Sequence, residues 1–73
     1  MLLASMKEGD RARLLGFFAS ERPSTFFVSR GIMPGVRVRV LRRYARSLVV
    51  RFDCVVFAIG IDLAMSVRVG PEE

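Results

Sequence analysis

The residues of this chain with the most chemistry to offer are cations. Twelve Lys and Arg stand against seven Asp and Glu in 73 residues, a formal net charge of +5. Lys7 is the only lysine, so the other eleven are arginines, permanently charged forks of donors suited to carboxylates and phosphates. Other chemistries lack their parts. With no His there is no imidazole base, no His-based triad and no His metal ligand. The lone Cys54 can make neither an intrachain disulfide nor a Cys-rich zinc site. Asp10, Asp53 and Asp62 could each touch a cation, yet no spacing gathers them into an oxygen cage. The sequence thus argues against an enzyme and supplies no catalytic set, no metal site and no cofactor. It points to a small binding module.

The arginines concentrate in Val36-Arg37-Val38-Arg39-Val40, whose alternation puts valines on one face of a strand and arginines on the other. Leu48-Val49-Val50-Arg51-Phe52 follows after a short turn and reads as its hairpin partner. Pairing Val40 with Val50 sets Val38 opposite Phe52 and Val36 opposite Cys54, all inward. A slip of one residue would flip every side chain, so the faces fix the register. Arg39 then lies opposite Arg51 and Arg37 opposite Asp53, all outward. Arg37, Arg39 and Arg51 form a candidate basic patch, extended by Arg42, Arg43 and Arg46 around the turn. It could bind an acidic protein surface or phosphates, or it could be a solvated face whose charge blocks edge pairing. Tyr44 is the only aromatic beside it, so the interleaved rings that stack single-stranded bases are missing. Phe26 and Phe27 offer the second candidate. Neighbours on a helix point about 100° apart, so one can be buried while Phe26 gives apolar surface to a partner or a second copy. Cys54 reads as a small inward core residue.

These side chains need a frame. Lys7-Glu8-Gly9-Asp10 is a turn signal, and Arg11 to Phe18 reads as a first strand with a bulge or bend at Gly16. Ser24 as N-cap and Gly31 as C′ residue bracket a helix of about two turns over Thr25 to Arg30. Pro34 and Gly35 suit a type II turn. Cys54 to Ile59 is a third run of the meander, Asp62 can cap a single helical turn through Met65, and Val67-Arg68-Val69 is a closing strand. The whole, residues 1–73, is one mainly β domain. It reads as a small SH3-like barrel of about five strands, with one short helix between the first two and a helical turn before the last. No stretch approaches the roughly 20 apolar residues of a spanning helix, and Met1 to Met6 lacks the basic start of a signal peptide. The expected setting is soluble and cytoplasmic.

Taken in order, these motifs resemble the FeoA family, the small SH3-like accessory proteins of bacterial ferrous-iron transport. Lys7-Glu8-Gly9-Asp10 is similar to the family's opening turn. Gly31-Ile32-Met33-Pro34-Gly35-Val36 is similar to its Leu-Gly-Leu-x-Pro-Gly-x signature, and the basic strand through Arg43 follows as it does there. Phe57-Ala58-Ile59 and the spacing Ala64-x-x-Val67-x-Val69 look like the closing strands. The chain differs at Thr25 and Phe26, where a basic pair is usual, and at Arg30, where Leu is usual. The loop Tyr44–Ser47 is shortened, and Gly60 and Ile61 replace basic residues. The resemblance implies an adaptor without catalysis, binding the cytoplasmic GTPase region of the FeoB transporter and modulating iron uptake. Phe26, Arg37, Arg39 and Arg51 are the expected contacts. Rival readings are a basic nucleic-acid-binding barrel and a domain that self-associates through its phenylalanines, as a homo-oligomer.

Overall fold

The computed structural model describes residues 1–18 and 21–72, with the backbone alone for 21–24. A 3-10 turn (Leu3–Ser5) precedes β1 (Arg11–Phe17), α1 (Glu21–Val28), β2 (Arg37–Arg43), β3 (Ser47–Phe52), β4 (Val55–Gly60), α2 (Ile61–Ala64) and β5 (Val67–Gly70). The strands make one antiparallel sheet in the order β4-β3-β2-β1-β5. This is the expected five-stranded, SH3-like arrangement with one correction. β4 and β5 do not pair, so hydrogen bonding does not close the barrel. Instead α2 packs against β3, β4 and the 3-10 turn, which in turn packs on β5. Met1 and Leu2 run beside β5: Val69 N–H donates to Met1 O at 2.8 Å, and Leu2 bridges Arg68.

The register between β2 and β3 follows the alternating faces: Val38 opposite Phe52, Arg39 opposite Arg51, Val40 opposite Val50. Beyond Val40 the pairing skips Leu41, so Arg42 meets Val49 and Arg43 meets the buried Leu48. Such a bulge re-aims every later side chain. A second irregularity lies between Leu14 and Gly16 in β1, where Gly16 suggests one.

Helix α1 begins at Glu21, earlier than its capping signals indicate, so Ser24 is not the N-cap. Pro23 sits in the first turn, where no helical bond needs its missing N–H. The far end behaves as expected. Gly31, with φ 78°, donates to Val28 O, and Ile32 N–H reaches back to Phe27 O at 2.9 Å. That reciprocal pair is a Schellman motif, and both Ile32 and Phe27 are buried behind it. Gly35 (φ 101°) then completes the turn that starts β2, with Val36 N–H donating to Met33 O.

Phe27 is the centre of the core. Its ring stacks on Phe17 at 5.2 Å, meets Phe26 edge-on at 5.0 Å and lies 5.4 Å from Phe52. The inward residues of the sheet (Ala12, Leu14, Val38, Val40, Val50 and Phe52 among them) are buried around it, and no described polar side chain is buried. Two expectations fail here. Cys54 is exposed, because β4 begins at Val55 and Asp53-Cys54 form a two-residue hairpin turn. Asp53 takes φ 55°, which an Asx residue tolerates. Asp62 lies inside α2, whose N-cap is Gly60 with no side-chain bond.

Candidate partner-binding face

The outward side of β1, β2 and β3 is basic because the strand period aligns its arginines. Arg11 lies opposite Arg39, and Arg39 lies opposite Arg51, so three arginines cross three neighbouring strands in one row. Val56 on β4 ends the row opposite Arg51. All three arginines are exposed. The next row holds Arg13 opposite Arg37. Arg37 is anchored through its backbone to the β3–β4 turn: its N–H donates to Asp53 Oδ1 at 3.1 Å, and its carbonyl accepts from Asp53 N–H at 2.8 Å. Arg11, Arg37, Arg39 and Arg51, with Val38, Asp53 and Glu72, line a depression of about 320 Å³.

The guanidinium groups of this row are unspent, whereas several other arginines are structural. Arg13 donates to Gly35 O at 2.9 Å, Arg42 to Leu41 O at 2.8 Å, and Arg30 to Phe26 O at 2.9 Å. Arg43 donates to Ala4 O and Met6 O. Among the described residues, the side chains of Arg11, Arg39 and Arg51 make no such bond. Like charges directly opposite on neighbouring strands repel, so the row costs stability unless an anion lies over it.

Of the arginines expected to extend the patch, Arg42 and Arg46 remain exposed near the β2–β3 turn. Arg43 does not join them. The bulge at Leu41 turns it to the core side, where it binds the amino-terminal segment, and its own N–H donates to Glu8 Oε2. Arg11 is the member that sequence reasoning missed. The start of the first strand showed its alternation, but only the β1–β2 register sets it beside Arg39.

Phe26 belongs to another surface. Helix α1 lies against the core side of the sheet, where Phe26 meets Phe27 and Phe57, and the basic row faces the other way. The ring is half-buried and covered by the Arg30 guanidinium 3.9 Å above it. A cation over an aromatic face, itself bonded to the Phe26 carbonyl and the Ser29 hydroxyl, closes much of the apolar surface. Phe18 is the more open ring, 51% exposed, with Arg68 at 5.6 Å. No three His, Cys, Asp or Glu side chains converge as metal ligands among the described residues, and none of the described helices is long and apolar enough to cross a membrane.

The family model of the FeoA domain matches residues 1–71 of the chain. No curated protein matches it in sequence. Among solved structures, the crystal structure of an iron uptake regulatory protein, FeoA, superposes with a TM-score of 0.85 at 28% identity, covering 96% of this chain and 95% of that one. A solution structure of FeoA from Chlorobium tepidum gives 0.86 at 22% identity, over 97% and 70% of the two chains, and bears on the fold. A manganese-dependent transcriptional repressor bound to manganese gives 0.88 at 25% identity over 97% of this chain. There the match spans only 36% of the larger protein.

Proposed function

Because the chain belongs to the FeoA family, its domain matching over residues 1–71, we propose that it is a non-catalytic accessory protein of ferrous-iron transport. It docks on the cytoplasmic GTPase region of a FeoB-type transporter and modulates uptake through that contact. The similarity to an iron uptake regulatory protein along nearly the full length of both chains supports the reading. The observation that carries it is the exposed arginine row, whose side chains make no hydrogen bond among the described residues. A folded domain that holds three guanidinium groups side by side is prepared for an anionic surface.

Arg37, Arg39 and Arg51 are the expected contacts, with Arg11 added to them. Phe26, on the other side of the sheet, is a separate contact, and Arg30 must swing away to open it. The test is a titration of the labelled protein against the isolated GTPase domain, with and without nucleotide, beside duplex and single-stranded DNA at two salt concentrations. Saturable binding to the GTPase domain, weakened by charge reversal of the arginines or by Phe26→Asp, is the expected result. Salt-sensitive DNA binding without any GTPase contact would transfer the face to nucleic acid, the reading its +5 charge also allows.

A further inference from the structure

We propose that the row Arg11–Arg39–Arg51 is the dock for an acidic α-helical segment of a partner protein, one carrying Asp or Glu once per turn along one face. This inference rests on reading the basic face as a partner contact and adds what the partner must present. The argument is one of spacing. The three arginines belong to neighbouring strands, so their stems are set about 4.8 Å apart, perpendicular to the strands. A helix laid along that row offers one side chain per turn every 5.4 Å or so, close enough for long arginine stems to follow over two or three turns. An extended peptide repeats its same-face side chains at roughly 6.8 Å and falls out of step. It would also find no backbone partners, since strands add to sheet edges and not to faces.

Other features agree. The central Arg39 has a like charge on both sides, so a carboxylate bound to it offsets repulsion with both neighbours. Val56, 48% exposed, ends the row and gives an apolar stop for a helix. The depression beneath the arginines is concave, which suits a ridge of side chains. It lacks the aromatic platforms that single-stranded nucleic acid uses. Asp53 and Glu72 line the same depression, and they would reject an acidic segment shifted towards them.

The probe is a fluorescein-labelled helical peptide of about three turns with Glu once per turn on one face. A peptide of the same composition with its Glu residues distributed around the helix is the comparison, read by anisotropy at low salt. Saturable binding of the one-faced peptide, several-fold tighter than the comparison and weakening with salt, is expected. Arg39→Glu should raise its Kd roughly tenfold or more, about 1.4 kcal/mol per decade, with Arg39→Ala between. Lys7→Glu makes the same charge change off the row and should leave Kd within about twofold, an exposed change outside the basic patch. Equal binding of the two peptides, equal loss in Arg39→Glu and Lys7→Glu, or tighter binding of single-stranded DNA through the same row overturns the inference. The two readings fail separately. A GTPase domain that ignores the wild-type protein removes the transporter and leaves the peptide result intact. A GTPase domain that binds Arg39→Glu as well as wild type removes the row and leaves the adaptor.

Discussion

Arg43 holds Met6 across 37 positions of sequence, its guanidinium donating to the Met6 carbonyl at 2.8 Å while also reaching Ala4 O at 2.7 Å. Replacing it with Ala strands both carbonyls and frees the segment before β1. Charged hydrogen bonds of this kind contribute about 1.5–3 kcal/mol each at most, so Arg43→Ala should cost about 2 kcal/mol in urea unfolding. Arg43→Lys should recover only part, since both bonds come from one guanidinium nitrogen, Nη1, and the shorter lysine stem does not bring its ammonium to the same point. An unchanged midpoint for Arg43→Ala would show that the segment is held by Leu3 and Met6 burial alone.

Phe27→Ala removes the ring that Phe17, Phe26 and Phe52 all touch. Large-to-small changes at such a site cost about 3–5 kcal/mol, and a domain of this size holds little more than that in total. The variant is expected to lose its cooperative thermal transition by circular dichroism. A clear transition within a few degrees of wild type would mean that the neighbouring rings collapse into the space.

Gly31→Ala forces a Cβ into the left-handed conformation of the Schellman turn. The expected cost is about 1 kcal/mol. Gly31→Asn should cost less, because Asn visits that region more readily. A Gly31→Ala protein as stable as wild type would mean that the turn re-forms with another φ, which the altered amide shift of Ile32 would reveal.

Cys54, at the tip of the β3–β4 hairpin, should react with a thiol reagent in the native protein at the rate of an unprotected thiol. Cys54→Ser should change stability by no more than about 0.5 kcal/mol. Labelling that waits for unfolding would return the residue to the interior.

The parts legible in the sequence were those with a period to read. Alternating Val and Arg fixed the faces of β2, and through them the register with β3, so the pattern alone sets Arg39 against Arg51. Gly31, Pro34 and Gly35 marked their turns because each supplies a backbone geometry few residues offer. What escaped was nonperiodic. Nothing in Val40-Leu41-Arg42 announces the skipped residue that turns Arg43 away from the other arginines. The uncharged run Cys54 to Ile59 has no alternation, so the turn could not be told from the strand. Ser24 read as the N-cap of a helix that has already begun at Glu21. Arg11 joins the row only through pairing between β1 and β2, a contact between distant segments that no local pattern encodes.

The two ends of the sheet are unlike. Met1 and Leu2 cover the outer side of β5, whereas among the described residues no strand lies beyond β4, whose six residues carry no charge. A ribbon with two open sides can add copies without end, but one with a single open side can only meet its own kind once. Any hydrogen-bonded joining of these molecules at their edges would therefore stop at two, related by a twofold axis, and the exhausted pair would have nothing left to offer a third.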